Sequence, residues 1–418
     1  MKSLLKFPLL VAVATMMSCS FSACSDNDDP TPDTGTSETD AKFEAIAKQY
    51  LDHTVYVTYK NLADETEQLV KDLQALKSSK TDANVKATCE TFLEARAWWE
   101  KSEAFLFGPV DAEGLDPNMD SWPLDQVAIV NTLKSGDFGI DPHIDSWPLD
   151  LDGLQTALKN TEQVEAMGGE DGDIYAGEKL GNSLLGFHGI EYILFEDGSP
   201  KSVSKISDLH LTYAVAVAGD LRNRCWQLEL SWRGESAVNA DRVAKVANEL
   251  ELPYTVNSGE YSYGENMLNA GKAGSTYASW TLAMQAIIDG CKTIADEVGT
   301  SKIGKPYSGE DPAYIESPYS HKSILDFYDN IISIQNAYMG GIENERDETN
   351  SLHNYIAGVD KELDTKVVNA INNALTKINA MAAPFVNNIK DPSAGEAIKA
   401  CQDLDAILSD VKTVLRNN

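Results

Sequence analysis

The sequence predicts an all-α protein made of two helix bundles, each of the up-and-down four-helix type, with a cleft where the two lobes meet. Apolar residues recur at spacings of three, four and seven along most of the chain, which is typical of amphipathic helices. No stretch alternates apolar and polar residues over the length of a strand. The chain has 418 residues, and since domains usually span about 100–200 residues, two lobes are expected.

The N-terminus has the features of an export signal. Lys2 and Lys6 precede an apolar run, Pro8 to Met17, that is too short to span a bilayer. The sequence Phe-Ser-Ala-Cys24 follows, and small residues directly before a cysteine resemble a lipobox, where cleavage leaves the cysteine as a lipid-carrying N-terminus. Residues 1–23 are therefore expected to be a lipoprotein signal peptide, with Cys24 as the lipidated residue.

Residues 24–40 are predicted to be an acidic, disordered tether. Ser25 to Asp40 contains six acidic residues and no large apolar residue. The run Ser-Asp-Asn-Asp-Asp directly after Cys24 resembles the surface-export signal of Bacteroidetes lipoproteins, and the alternative is a generic leash. We expect an outer-membrane lipoprotein on the cell surface or on the periplasmic face.

From Ala41 onward the pattern is helical, and the Gly- and Ser-containing stretch near Ser231 to Ala240 is the candidate boundary between domains 41–235 and 236–418. The tyrosine-rich stretch from Pro253 to Gly274 is interpreted as a loop. The apolar faces that predict helices are Leu62–Leu76, Val85–Trp99, Leu209–Leu230, Leu282–Val298, Ile324–Tyr338, Leu363–Ile378 and Cys401–Leu415.

The composition excludes nucleic acid as a partner. There are 65 acidic and 34 basic residues, with a formal net charge of -31, whereas nucleic-acid binding needs a basic surface. Four cysteines lie beyond the export region, far apart and without a CxxC pair. They are expected to be buried free thiols, with long-range disulfides as the alternative.

The same six-residue sequence occurs twice in the chain. Asp-Ser-Trp-Pro-Leu-Asp spans Asp120–Asp125 and returns at Asp145–Asp150. The favoured interpretation is a duplicated structural turn with a buried tryptophan, because Asp or Ser caps a helix and proline is tolerated in its first turn. The alternative is a pair of loops lining a cleft.

The strongest candidate for chemistry is the stretch Gly186 to Glu191. His188 and Glu191 are three residues apart, so on a helix an imidazole and a carboxylate share one face. By spacing alone, a hydrogen-bonded helix pair is the more common arrangement. However, Gly186 and Gly189 flank the histidine, and glycine inside a helix costs about 1 kcal/mol relative to alanine, so close approach of a backbone or a ligand is indicated.

The stretch Gly186–Glu191 resembles the GxHxxE signature of the imelysin family, once described as insulin-cleaving peptidases of bacterial surfaces. Three more blocks are similar to that family: Trp98–Pro109, Ile144–Asp150 and Glu316–His321 with Asp326. With the signature they make four blocks in an ordered series. The resemblance implies a two-domain helical protein, a signature near the domain interface, and a link to iron acquisition and metal binding.

Carried over by position, the resemblance implies metal ligands at His188, Glu191 and Glu103. It also implies a set of cleft residues: Gly186, Gly189, Trp147, Glu316, Ser320, His321 and Asp326. The last three of these would reach into the cleft from the second lobe. Structural alternatives are that Glu103 pairs with Arg96 and that His321 and Asp326 cap or pair near the start of the next helix.

The residue pattern favours metal binding over hydrolysis. A helical zinc peptidase would show His-Glu-x-x-His or its inverse, and neither is present among six histidines. Histidine with carboxylates suits iron, manganese or zinc. The resemblance to the imelysin family, with its link to iron acquisition, favours iron. A metal-uptake lipoprotein that works with iron-transport components is the leading hypothesis. A metallopeptidase and a surface module that binds a polymer or a protein through Tyr254–Tyr263 are the alternatives.

Overall fold

The computed structural model describes residues 37–122, 124, 137–138, 149–150 and 172–417, and most of these residues are helical. Nine helices among them are at least nine residues long and carry the architecture. In chain order they are α1 (Glu38–Tyr50), α2 (Tyr56–Ser78), α3 (Asp82–Glu100), α4 (Gly186–Leu194), α5 (Asp208–Arg233), α6 (Trp280–Glu297), α7 (Ser323–Met339), α8 (Lys361–Asn379) and α9 (Pro392–Asn417). The all-α prediction is confirmed.

Shorter segments connect the long helices. The short α-helices are Pro109–Ala112, Asp116–Met119, Asp173–Lys179, Ala240–Val243, Tyr263–Leu268, Gly304–Ser308, Leu352–Val359 and Phe385–Asn388. The 3₁₀ turns are Glu103–Phe105, Asn182–Leu184, Val203–Lys205, Glu235–Ala237, Val256–Ser258 and Glu348–Asn350, and the π-helical turns are Leu51–Val55, Ala244–Glu249 and Val298–Lys302. Two-residue strands pair as β1 (Asp137–Phe138) with β2 (Leu149–Asp150), and as β3 (Phe195–Glu196) with β4 (Ser199–Pro200).

Side-chain caps fix where several of the long helices begin. The residues before α3, α5, α6 and α8 are Thr81, Ser207, Ser279 and Asp360, and each side chain accepts a hydrogen bond from a backbone N–H of the first helical turn. These N–H groups have no partner inside the helix, so a capping oxygen stabilises the helix start. The boundaries therefore follow from local chemistry.

Eight of the nine long helices pack as two groups of four inside one compact unit, residues 38–418, and α1 packs against α6. In the first group, α2 packs against α3 and α5, and α4 packs against α5 and α3. In the second group, α9 packs against α6 and α8, and α7 packs against α8 and α6. The domain boundary between residues 235 and 236 stays a prediction.

Helix α3 and the turn that follows it join the two groups. α3 contacts α7, and the turn Glu103–Phe105 contacts both α6 and α7. A Cβ at Gly290 of α6 would lie 2.1 Å from the Ala104 carbonyl oxygen, so this close approach requires glycine. The N–H of Ala104 donates to the Ser333 hydroxyl of α7 at 3.0 Å. The candidate site is built on this junction.

The four cysteines Cys89, Cys225, Cys291 and Cys401 are free and buried, as the sequence predicts. The stretch interpreted as a tyrosine-rich loop differs from that expectation, since it contains the helix Tyr263–Leu268. The Ser262 hydroxyl accepts from the Glu265 N–H, and the Glu265 carboxylate accepts from the Ser262 N–H, which is a capping box visible in the sequence as Ser-x-x-Glu.

Several predicted features lie outside the described residues. These are Cys24 with the signal peptide and nearly all of the tether, Trp147, and all but the last two residues of the second Asp-Ser-Trp-Pro-Leu-Asp copy. Helix α1 begins at Glu38, three residues before the predicted start. In the parts of the chain that are described, no helix is both long and apolar enough to cross a bilayer.

Candidate functional site

His188 and Glu191 lie on one face of α4, as their spacing predicts. The His188 Nδ1 atom is 3.3 Å from Glu191 Oε2, and the side chains are 2% and 0% exposed. Helix α4 packs against α5 and against α3, the helix that joins the two groups, and both residues are buried inside the protein. An imidazole and a carboxylate therefore meet in an environment where water does not screen them.

The two glycines beside His188 permit close approach of other protein groups. Gly186 has a φ of +71°, and a Cβ there would lie 2.0 Å from the Met119 carbonyl oxygen. A Cβ at Gly189 would lie 2.6 Å from the hydroxyl of Tyr213, which donates to the Leu184 carbonyl oxygen at 2.6 Å. The sequence analysis explained these glycines by close approach of either a backbone or a ligand. In the structure, protein atoms occupy the space next to both glycines.

Ser320, in the segment before α7, fixes the Glu191 carboxylate. Its backbone N–H and its hydroxyl both donate to Glu191 Oε1, at 2.8 and 2.6 Å. The other carboxylate oxygen faces His188. Glu191 is thereby oriented from both sides, and it holds the imidazole in place.

Asp120 lies on the other side of the imidazole. Its Oδ1 is 3.0 Å from His188 Nε2, and its Oδ2 accepts a hydrogen bond from the Trp99 indole at 2.8 Å. Sequence reasoning did not select Asp120, because the repeat that it begins was interpreted as a structural turn. The repeat itself was the available signal.

Arg96 connects three carboxylates. Its guanidinium pairs with Asp120, with Glu100 at 2.5 Å and with Glu316 at 2.7 Å, and every member of this set is buried. The suggestion that Glu103 pairs with Arg96 is wrong, because Glu100 is one helical turn from Arg96 and takes that position. Sequence reasoning named Arg96 only as a partner of Glu103 and missed Glu100, although the Arg-x-x-x-Glu spacing on α3 was visible.

Lys302, at the end of the turn Val298–Lys302, is the second buried cation. Its Nζ lies 3.1 Å from Glu316 Oε1, 3.6 Å from Glu103 Oε1 and 3.7 Å from Glu100 Oε2. Glu103 therefore sits beside Lys302, and Glu316, which the family resemblance selected, bridges Lys302 and Arg96. No sequence pattern marked Lys302.

Of the predicted cleft residues Asp326 and His321, the first lies near the buried charges and the second does not. Asp326 is 2% exposed, and its Oδ2 has no hydrogen-bond partner among the described residues. His321 is half-buried with a φ of +60° and packs against the β3–β4 turn, where a Cβ at Gly198 would lie 2.6 Å from its Nδ1. The structure thus brings Asp326 to the buried charges and places His321 against the hairpin.

We call these groups the buried cluster: Arg96, Glu100, Glu103, Asp120, His188, Glu191, Lys302, Glu316 and Asp326. Its carboxyl groups outnumber its cations. Burial disfavours the charged imidazole, but the Asp120 and Glu191 carboxylates outweigh burial and raise the pKa of His188 to about 9. Burial raises the pKa of Glu316 to about 7 against the attraction of Lys302, and it also raises the pKa of Asp326.

Two sets of donor atoms in the buried cluster are close enough to share a cation. Asp120, His188 and Glu316 form one set, Glu100, Glu103 and Asp120 form the other, and the donor atoms of each set lie within 4.8 Å of one another. The sequence named His188, Glu191 and Glu103 as ligands. Glu191 contacts His188 directly and belongs to neither set, Glu103 belongs to the second set, and their role as ligands stays a prediction.

Two aromatic rings lie next to the buried cluster. The Trp122 ring is 6.4 Å from the His188 ring and 3.9 Å from the Tyr314 ring, measured between centroids. Both rings are partly exposed. On another side, Glu103 lines an open cavity of about 640 Å³. The cluster is therefore buried but lies close to solvent at these two points.

The comparisons with known proteins agree with this architecture. The family model described as Imelysin matches residues 55–411. Iron-regulated protein A of Synechococcus elongatus is 26% identical over 362 residues, 86% of this chain and 82% of that protein. A crystal structure of a putative iron-regulated protein A precursor from Parabacteroides distasonis is 26% identical with a TM-score of 0.68, covering 91% of this chain and 96% of that one.

A second solved structure shares the fold alone. It is an imelysin-like protein from Psychrobacter arcticum with a TM-score of 0.54 and 11% identity, covering 88% of this chain and 93% of that one. The family match spans most of the chain and contains every residue of the buried cluster. This chain belongs to the imelysin family.

Proposed function

We propose that this protein binds a metal cation, iron in the first place, at Asp120, His188 and Glu316, and that it serves metal acquisition. The observation that carries the proposal is the convergence of two carboxylates and an imidazole, with donor atoms within 4.8 Å, in a site almost closed to water. Imidazole and carboxylate together suit iron, manganese and zinc.

The charge balance of the buried cluster supports a cation there. Six buried carboxyl groups face Arg96, Lys302 and one titratable imidazole. A buried carboxylate without a cation is costly, so such groups hold a proton or bind a counter-ion. One oxygen of Glu316 has no hydrogen-bond partner among the described residues, and the Nε2 of His188 faces Asp120, which is itself one of the three proposed ligands.

Arg96 is the natural competitor of a metal ion. Its guanidinium holds both Asp120 and Glu316, two of the three proposed ligands. Metal bonds to histidine and carboxylate measure about 2.0–2.2 Å, so the three donors must draw together and loosen their contacts with Arg96. Glu191 and Ser320 would orient the imidazole, as partners of metal-bound histidines do.

The names of the relatives favour iron. Of two proteins that are 26% identical over most of this chain, one is called iron-regulated protein A and the other is described as a putative iron-regulated protein A precursor. We extend that association with iron to this chain as a proposal, with manganese and zinc as alternatives. We further propose that the protein is anchored to the outer membrane through lipid on Cys24 and delivers its cargo to iron-transport components.

Calorimetric titration of the full chain with Fe²⁺, Mn²⁺ and Zn²⁺ tests the metal site. We expect one site in the wild type and none in His188→Ala, because the imidazole supplies one of three donors. His53→Ala is the matched control, since His53 is partly exposed and pairs with Glu345 outside the buried cluster. Equal binding by the wild type and His188→Ala would refute the assignment.

A further inference from the structure

An open cavity lies between the segment 103–117 and helix α6. Its volume is about 640 Å³, within the range of about 300–1,000 Å³ that is usual for small-molecule sites. Phe107, Val110 and Ile294 contribute apolar wall, and Glu103, Asp116 and Glu297 contribute carboxyl groups. No lining residue that the structure describes is lysine, arginine or histidine. The cavity is thus apolar in its walls and acidic in its charge.

Glu103 is the residue that makes this cavity more than an acidic patch. It is 7% exposed, its carboxyl group forms part of the cavity wall, and none of the described residues donates a hydrogen bond to it. The nearest cation is Lys302, whose Nζ is 3.6 Å away, beyond hydrogen-bonding distance. Lys302 is a counter-ion that Glu103 shares with Glu100 and Glu316, so a buried carboxyl group without a hydrogen-bond donor lines the cavity.

The other carboxyl groups add to the demand for positive charge. Among the described residues, no hydrogen bond or ion pair is formed by the side chains of Asp116 and Glu297. Asp289, which also lines the cavity, is already paired with Lys412 at 2.6 Å. A ligand that brings one positive charge to Glu103 would also meet the carboxyl groups of Asp116 and Glu297 in the cavity wall.

We infer that this cavity binds a small organic cation, a primary amine or amidine joined to an apolar body, with the nitrogen at Glu103. A metal ion needs a compact shell of donors, whereas this cavity offers apolar surface and room for a ring. The aromatic ring of Phe107 fits the same ligand class, because aromatic side chains attract organic cations. None of Asp120, His188 and Glu316, the three donors of the proposed metal site, is part of the cavity wall.

Calorimetry of the full chain with benzylamine, benzyl alcohol and benzoate tests the inference, because the three probes differ chiefly in charge. We expect benzylamine to bind at least about ten-fold more tightly than the alcohol, with no binding of benzoate. Glu103→Gln keeps the side-chain shape and should weaken benzylamine binding about ten-fold or more. Ala286→Phe fills the cavity from α6 without changing its charge, and it should weaken both benzylamine and the alcohol.

Glu362→Gln, at an exposed acid of α8 paired with Lys366, is the matched control and should bind benzylamine like the wild type. Equal affinity for benzylamine and benzyl alcohol would overturn the inference, as would unchanged benzylamine binding in Glu103→Gln. Binding of Mn²⁺ but not of benzylamine in this cavity would also overturn the inference. His188→Ala separates the two sites, since it should remove the metal site and leave benzylamine binding unchanged.

Discussion

Arg96→Met tests whether ion pairs in the buried cluster hold the two helix groups together. The guanidinium pairs with Glu100 and Asp120 from the first group's side and with Glu316 from the segment before α7, and all four side chains are at most 3% exposed. Removing one partner of a buried ion pair costs about 3–5 kcal/mol, because the remaining charge has no water to solvate it. Methionine keeps most of the volume, so the loss reports charge rather than a cavity.

Thermal and urea unfolding, followed by circular dichroism, measure this loss. For a unit the size of residues 38–418, the unfolding entropy is about 0.8 kcal/mol per degree, so the melting temperature should fall by about 4–6 °C. Arg416→Met, at an exposed position of α9, is the control and should change stability by less than about 0.5 kcal/mol. If Arg96→Met were as stable as Arg416→Met, the ion pairs would not hold this junction. Mn²⁺ should raise the melting temperature of Arg96→Met more than that of the wild type, because the guanidinium that competes with the metal ion is absent from the variant.

Two further predictions concern pH and glycine. The His188 imidazole has a pKa of about 9 in the folded protein, and a metal ion binds only its neutral form. The affinity for Mn²⁺ should therefore rise about ten-fold per pH unit from pH 7 to pH 9 and stay constant above pH 9. A calorimetric affinity that does not change over that range would exclude His188 as a ligand. Gly186→Ala should destabilise the protein by more than about 2 kcal/mol and weaken Mn²⁺ binding, since its Cβ would lie 2.0 Å from a backbone carbonyl oxygen at positive φ. Gly358→Ala, with no atom within 4 Å of its Cβ, should be neutral or stabilising by up to about 1 kcal/mol, and urea unfolding of both variants checks the contrast.

The helices could be predicted from the sequence because their signals are local. The apolar stripe of α9 is an example, since Cys401, Leu404 and Leu408 step by three and four and are all fully buried. The helix inside the tyrosine-rich stretch escaped this reasoning. It is only six residues long and is begun by a capping box at Ser262, so its signal is a cap rather than a stripe.

Only part of the candidate site could be predicted, because most of its residues lie far apart in the sequence. His188 and Glu191 are one helical turn apart, so their contact follows from helix geometry alone. Asp120 is 68 positions before His188 by residue number, and Lys302 joins Glu103 only because α6 packs on the turn after α3. Such contacts depend on how helices pack, and no periodicity in the chain encodes which buried charges will meet.

Anomalous X-ray diffraction from crystals soaked in Mn²⁺ or Fe²⁺ tests the central claim most directly. The account predicts one strong anomalous peak within about 2.0–2.3 Å of a donor atom from each of Asp120, His188 and Glu316, with the Arg96 guanidinium displaced from it. Crystals of His188→Ala should lack the peak. Peaks confined to exposed surface carboxylates, with the Arg96 ion pairs unchanged, would contradict the account.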